Sequence, residues 1–129
     1  MELTEIAVRH VFAPSLVPVE RAIDVEHLSR MTLGDRELET EVLGLFLRQI
    51  DILRPRIEAA VPEIAAAAAH TLKGSAGGIG AWALARAAAE IEVCAKAGGS
   101  GLADAVHDLD QALAQVQGEI SEIVLAGAN

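Results

Sequence analysis

Residues 102–124, LADAVHDLDQALAQVQGEISEIV, place large apolar side chains at Leu102, Val106, Leu109, Leu113, Val116, Ile120 and Ile123. The steps alternate four and three without a miss, which is the spacing of a helix seam in a bundle and not the two-residue period of a strand. A helix of this length must bury that stripe against other helices. Toward the N-terminus, Gly98 and Gly99 close a preceding helix that starts near Ala81 and lines up Leu84, Ala88, Ile91 and Ala95, and Ser100 is positioned to cap the last helix. Before that, Pro62 suits a first helical turn, and the alanine-rich run from Glu63 to Gly77 is ended by Gly77, Gly78 and Gly80. Asp35 is the expected N-cap of a helix with Leu38, Val42, Leu45, Phe46, Ile50, Leu53 and Ile57 on one stripe to about residue 60. Pro55 predicts a kink there, or a break into two helices. A short helix begins at Asp24, buries Val25, Leu28 and Met31, and stops at Gly34. Short turns make successive helices antiparallel. The expected fold is all-α, an antiparallel up-and-down four-helix bundle with a short additional N-terminal helix.

Composition agrees and excludes several functions. The chain has 129 residues, 52% hydrophobic and only 2% aromatic, so one core is expected and strands have few of their favoured residues. Residues 1–22, broken by Pro14 and Pro18, read as an N-terminal extension, and residues 23–129 as the bundle domain. A formal net charge of −9 disfavours both a nucleic-acid backbone and an anionic membrane surface. No apolar run is long enough to span a bilayer, and no secretory signal is evident, so a cytoplasmic monomer is the default. The single cysteine, Cys94, forbids an intrachain disulfide and reads as a small core residue. His10, His27 and His107 lack metal-ligand spacing with it or with one another, so no metal site is expected. These three read as structural or solvent-exposed side chains.

The chemistry concentrates in Ala69-His70-Thr71-Leu72-Lys73-Gly74-Ser75-Ala76-Gly77-Gly78-Ile79-Gly80-Ala81. At about 100° per residue, Ile64, Ala65, Ala68, Leu72, Ser75, Ala76 and Ile79 fall on one side of the third helix. Glu63, Ala66, His70, Gly74 and Gly77 fall on the other, so His70 is expected to point to water. Lys73 lies at the margin of that face, one turn on. Glycine in a helix costs roughly 1 kcal/mol relative to alanine, and a bare backbone at Gly74 beside a histidine permits close approach of another protein. Ala66 and Gly77 would keep the surface flat, and a cation at Lys73 would stabilise negative charge held at the ring. A lone exposed histidine is ordinarily a solvated side chain; the string around it distinguishes this one.

The string resembles the histidine phosphotransfer (HPt) domains of bacterial two-component phosphorelays, whose pattern is His-x-Leu-Lys-Gly-Ser/Ala-Ser/Ala followed by a glycine ten residues after the histidine. His70, Leu72, Lys73, Gly74, Ser75, Ala76 and Gly80 match it. Ile23-Asp24, Gly34-Asp35, Leu45-Phe46-Leu47 and Ile91-Glu92 look like the family's weaker positions, so the likeness covers roughly residues 22–125.

The resemblance implies that His70 accepts a phosphoryl group from an aspartyl phosphate on a receiver domain and passes it to another receiver aspartate. The partners implied are receiver domains of response regulators and a hybrid histidine kinase. Attack through Nε2 is likewise what the resemblance suggests. The chain itself would bind no cofactor, with Mg²⁺ supplied by the receiver. It has no nucleotide loop, hence a phosphocarrier rather than an ATP-using enzyme. An alternative in another class is a helical interaction module that binds receivers or a kinase without turnover. One position departs from the pattern. In a hairpin turning near Gly80, residue 92 lies level with His70, and where some relatives have Gln this chain has Glu92. A carboxylate there would favour the charged ring and repel an incoming phosphoryl group. Lys96, one turn on, would offset that charge at the partner surface, or simply pair with Glu92 at i,i+4.

Overall fold

A computed structural model of the chain describes residues 21–59 and 61–127. These residues form five helices: α1 (Val25–Met31), α2 (Arg36–Glu58), α3 (Pro62–Gly78), α4 (Trp82–Lys96) and α5 (Leu102–Gly127). The four long helices form a closed ring, α2 on α3, α3 on α4, α4 on α5, and α5 back on α2. The fold is the expected all-helical bundle with a short helix at its N-terminal end. Among the described residues no helix is long and apolar enough to cross a membrane.

The predicted stripes of α3, α4 and α5 pack inward, with Leu72, Ala76, Leu84, Ala88, Ile91, Leu109, Val116 and Ile120 almost wholly buried. On α3 the exception is Ile64, which is exposed. On α5, Ala105 is buried while Leu102, Val106 and Ile123 pack at the margin of the core. The α2 stripe is turned from its expected position. Leu43, Phe46, Ile50, Leu53 and Ile57 are buried, whereas Leu38 and Leu45 are exposed. The 4-3 ladder that runs through Leu43 defines the face toward α3 and α5, and Leu38, Val42, Leu45 and Ile52 form a second, outward stripe beside it. Val25 and Met31 are also exposed, since α1 has only two turns and Leu28 is its one buried side chain.

Pro55 does not break α2, which runs on to Glu58 with the Ala59 amide donating to the Pro55 carbonyl. Proline costs about 3 kcal/mol in a helix interior, and burial of Leu53 and Ile57 on either side holds the last turn in place. Asp24 and Asp35 cap α1 and α2, accepting from the amides of His27 and Leu38 at 3.1 Å each. Ser100 does not cap α5. The helix starts at Leu102, and the carbonyl of Gly101 accepts its first bond, from the Ala105 amide. The packed unit reaches back to Ala22 and Ile23, which are buried and donate their amides to the Glu119 carboxylate at 2.8 and 2.9 Å. The rest of the expected N-terminal extension, residues 1–20 with His10, lies outside the described residues.

The turn between α3 and α4 fixes the register of the site. Gly80 donates to the Gly77 carbonyl and Ala81 to that of Ala76 at 2.8 Å, the paired closure that ends a helix with a left-handed residue. Gly80 has φ +82°, and a Cβ on it would sit 2.8 Å from the Asp24 carbonyl oxygen, while its own carbonyl accepts from the Asp24 amide at 2.9 Å. Only glycine satisfies both demands. The Asp24 side chain also accepts from Trp82 Nε1 at 3.1 Å, so the same residue caps α1 and ties it to the start of α4. The His27 amide and the Trp82 indole hold the Asp24 carboxyl below its ordinary range. Against this corner, the His27 ring meets Trp82 edge-on at 4.8 Å.

Candidate functional site

Helices α3 and α4 meet through alanine. Ala65, Ala69, Ala76, Ala88 and Ala95 are buried, with Leu72, Leu84 and Ile91 between them. Side chains this small let two backbones approach closely, and the Gly80 turn sets residue 92 opposite residue 70. The result is a four-residue cluster on the outer face, with His70 and Lys73 from α3 and Glu92 and Lys96 from α4.

The His70 side chain is 66% exposed. Its Nδ1 lies 3.1 Å from Glu92 Oε2. Lys73 Nζ donates to Glu92 Oε1 at 3.2 Å, and Lys96 Nζ to Oε2 at 3.0 Å. Glu92 is therefore the hub, and at 13% exposure its carboxylate is the most enclosed charged group of the cluster. The hydrogen bonds from Lys96 and then Lys73 pull its pKa down to about 2, so it is anionic at any physiological pH. An anionic carboxylate only accepts. A neutral His70 ring in this arrangement carries its hydrogen on Nδ1 and leaves an Nε2 lone pair available.

The expected partner-facing residues divide. A Cβ on Gly74 would meet nothing within 4 Å, as expected for an open backbone, and Gly78 is equally bare. Gly77 is half-covered, its Cβ position lying 3.9 Å from the Trp82 ring. Ala66 is corrected: at 7% exposure it is not part of a flat outer surface but packs with Ala65 and Ala95 under the groove beside His70. It lies about 40° around α3 from His70 toward α4, enough to bring it under that helix. Beyond Gly78 an apolar groove opens between α1, α2 and the end of α3, edged by Met31, Leu38, Leu45 and Ile52.

The i,i+4 pair of Lys96 with Glu92 forms as expected, while the reach of Lys73 to the same carboxylate and the outward stripe of α2 were missed in the sequence. Lys73 and Lys96 are the only lysines in the chain, the other eight basic residues being arginine, and both converge on Glu92. That count was a legible signal. The outward α2 stripe was not, because its residues interleave with the core ladder. Among the remaining candidates, Cys94 is buried, and burial with Glu90 nearby pushes its thiol pKa up, which suits a packed residue and not a nucleophile. His107 is exposed on α5. Among the described residues no group of three or more His, Cys, Asp or Glu side chains gathers as a metal site.

The bundle thus displays the His70 imidazole beside two ammonium groups and a carboxylate. The family model of the Hpt domain matches residues 41–119, from within α2 to within α5, which is more than half of the chain. The chain belongs to the Hpt domain family, whose members carry out histidine phosphotransfer in two-component phosphorelays as phosphocarriers and interact there with receiver domains and kinases. No curated protein and no solved structure matches it.

Proposed function

We propose that this chain carries a phosphoryl group on His70 Nε2, taking it from an aspartyl phosphate of one receiver domain and handing it to the aspartate of another. The observation that carries the reading is the exposed ring with Nδ1 held by Glu92, which leaves Nε2 as the reactive nitrogen. In the first transfer, Nε2 bonds to phosphorus as the phosphorus–oxygen bond of the acyl phosphate breaks, and its electron pair leaves on the receiver's carboxylate. No general base is required, because the lone pair is already free. Lys73, 40% exposed and one turn from the ring, is the cation assigned to the phosphoryl oxygens in this reading. Mg²⁺ belongs to the receiver, whose acidic pocket closes over His70.

The receiver is read as landing on His70 and along the bare backbone of Gly74 and Gly78, with the apolar groove of Met31, Leu38, Leu45 and Ile52 at the edge of its footprint. Gly78 lies eight residues beyond His70 and about 80° around α3, so ring, bare helix and groove form one continuous surface. Lys96 and Glu92 form its rim on the α4 side. The test is transfer of label from a phosphorylated receiver. Labelling of the wild-type chain that disappears in His70→Gln is the expected result. Stable binding to receivers with no labelling by any of them would instead mark a non-catalytic interaction module.

A further inference from the structure

One exposed apolar side chain is ordinary on a protein surface, and it is the setting of Trp82 that sets it apart. The chain has a single tryptophan, at the first position of α4, and it is 38% exposed, whereas Phe46 lies in the core. Three contacts hold the indole. Nε1 donates to Asp24 Oδ2 at 3.1 Å, the His27 ring packs edge-on with centroids 4.8 Å apart, and Cζ3 lies 3.9 Å from where a Cβ on Gly77 would stand. The His27 Nε2 is buried there with no hydrogen-bond partner among the described residues, an unfavourable arrangement kept beside the indole. Resting on the proposed docking of a receiver at His70, we infer that Trp82 is a second contact point for that receiver, a fixed aromatic platform on which an arginine or lysine side chain of the receiver stacks with its charge turned to the Asp24 carboxylate.

Position is the first reason. Gly77 lies seven residues beyond His70, which is two turns along the same face of α3 and about 10 Å away, and the indole rests against it. A protein interface of standard size covers about 800 Å² of each partner, a patch about 30 Å across. A receiver centred on His70 and resting on the bare backbone of Gly74 and Gly78 therefore reaches the ring. Rigidity is the second. Tryptophan is among the side chains that dominate binding energy at interfaces, and a ring already fixed by α1 and α3 loses little freedom when a partner closes on it.

Charge says what the platform accepts. The Asp24 carboxylate takes one bond from the His27 amide on Oδ1 and one from the indole on Oδ2, which leaves lone pairs for a further donor. Arg30 of α1 acts on it through charge and not through a bond. A cation over the indole face with its head at this carboxylate gains from both. The two ends of the surface then differ in sign. Lys73 and Lys96 stand beside His70, where the acidic pocket of the receiver closes, and Asp24 stands beside Trp82 at the turn. Opposite charges at the two ends favour one orientation of the receiver and disfavour its reverse.

The experiment measures KM and kcat for transfer from a phosphorylated, tryptophan-free receiver domain to the full chain in wild type, Trp82→Ala, Trp82→Phe and Asp24→Asn. Loss of the ring is expected to raise KM about tenfold with kcat within about twofold. Trp82→Phe keeps an aromatic face and should recover most of that loss. Asp24→Asn keeps a helix cap and an oxygen for the indole but no charge, and should raise KM about threefold and flatten its salt dependence. Phosphoramidate, a small donor that needs no receiver, reports on His70 alone. A Trp82→Ala chain slowed equally with both donors would overturn the inference, because the ring then acts only through the fold. An unchanged KM in Trp82→Ala overturns it as well, and Asp24→Asn with the wild-type KM and salt dependence overturns the cationic contact. A wild-type chain that no receiver labels counts against the proposed function. The emission of Trp82, which only this chain contributes, then tests the contact separately: a shift on adding receiver supports it, and no shift overturns it. Thermal unfolding of each variant shows whether the corner of α1 and α4 is intact.

Discussion

The bundle's two halves are held together by different means. Where α2 faces α5, the contact is built from Phe46, Ile50, Leu53, Leu109, Leu113 and Val116, with a bidentate pair between Arg54 and Asp110 at 2.7 and 2.9 Å. Where α3 faces α4, alanines do much of the packing, and the polar link is the Lys73–Glu92–Lys96 cluster beside His70. Burying a leucine or phenylalanine side chain contributes about 1.5–3 kcal/mol, against about 0.8 for one CH₂-sized group. The larger side chains buried in the first half therefore each contribute more to this term than the alanines of the second. The second gives up side-chain volume, and in return one glutamate spans the gap and meets three partners at once.

Glycine replacements separate these roles within α3 and its turn. Gly80→Ala should lose about 3 kcal/mol or more, since it combines a left-handed backbone with a Cβ 2.8 Å from the Asp24 carbonyl oxygen. Urea denaturation would show this, and an unchanged midpoint would mean the turn does not set the register. The next largest effect lies at the cation. Lys73→Ala should slow transfer about tenfold with helix content intact, less than the loss of a buried oxyanion donor because Lys73 is partly solvated. Arg54→Ala, in the other half, should leave transfer rates alone; equal slowing in both variants would remove Lys73 from the chemistry.

Gly74→Ala is the converse of Gly80→Ala. The added methyl group meets open space in a regular helix, so stability should rise by up to about 1 kcal/mol. A bulky Gly74→Leu should keep the fold and slow transfer from a receiver, as seen by pairing label transfer with denaturation. The smallest effect concerns acid. The Glu92 pKa is lowered from 4.5 to about 2 by its lysines, so its contribution to stability is complete above about pH 4.5 and fades as pH falls toward 2. Asp110, lowered by Arg54, acts with the same sign in the other half. Thermal unfolding between pH 6 and 2 should therefore show a smaller acid loss in Glu92→Gln than in wild type. Parallel curves would mean that the cluster does not contribute to stability.

Much of this could be read from the sequence where one period dominated. The α4 and α5 stripes, the Asp24 and Asp35 caps and the Gly80 turn follow from local spacing and chemistry, and the hairpin register already placed residue 92 beside His70. On α2 two apolar ladders run side by side, and periodicity alone does not say which faces the core; that is decided by where α3 and α5 lie. Ala66 failed for a related reason, since a helical wheel places it near His70 but does not include the helix that covers it. Half of the charge balance around Glu92 was legible, since Lys96 follows it at i,i+4, but the reach of Lys73 across from α3 to the same carboxylate was not. An acid at that position predicts repulsion until two lysines from different helices are seen on the same carboxylate.

The most direct test is to map the phosphoryl group after incubation with a phosphorylated receiver. An acid-labile, alkali-stable label confined to the peptide bearing His70, and attached through Nε2, is the predicted result. Label on His27 or His107, or on His70 through Nδ1, would contradict the account, because among the described residues it is His70 whose exposed ring has Nδ1 held by Glu92 and Nε2 left to react.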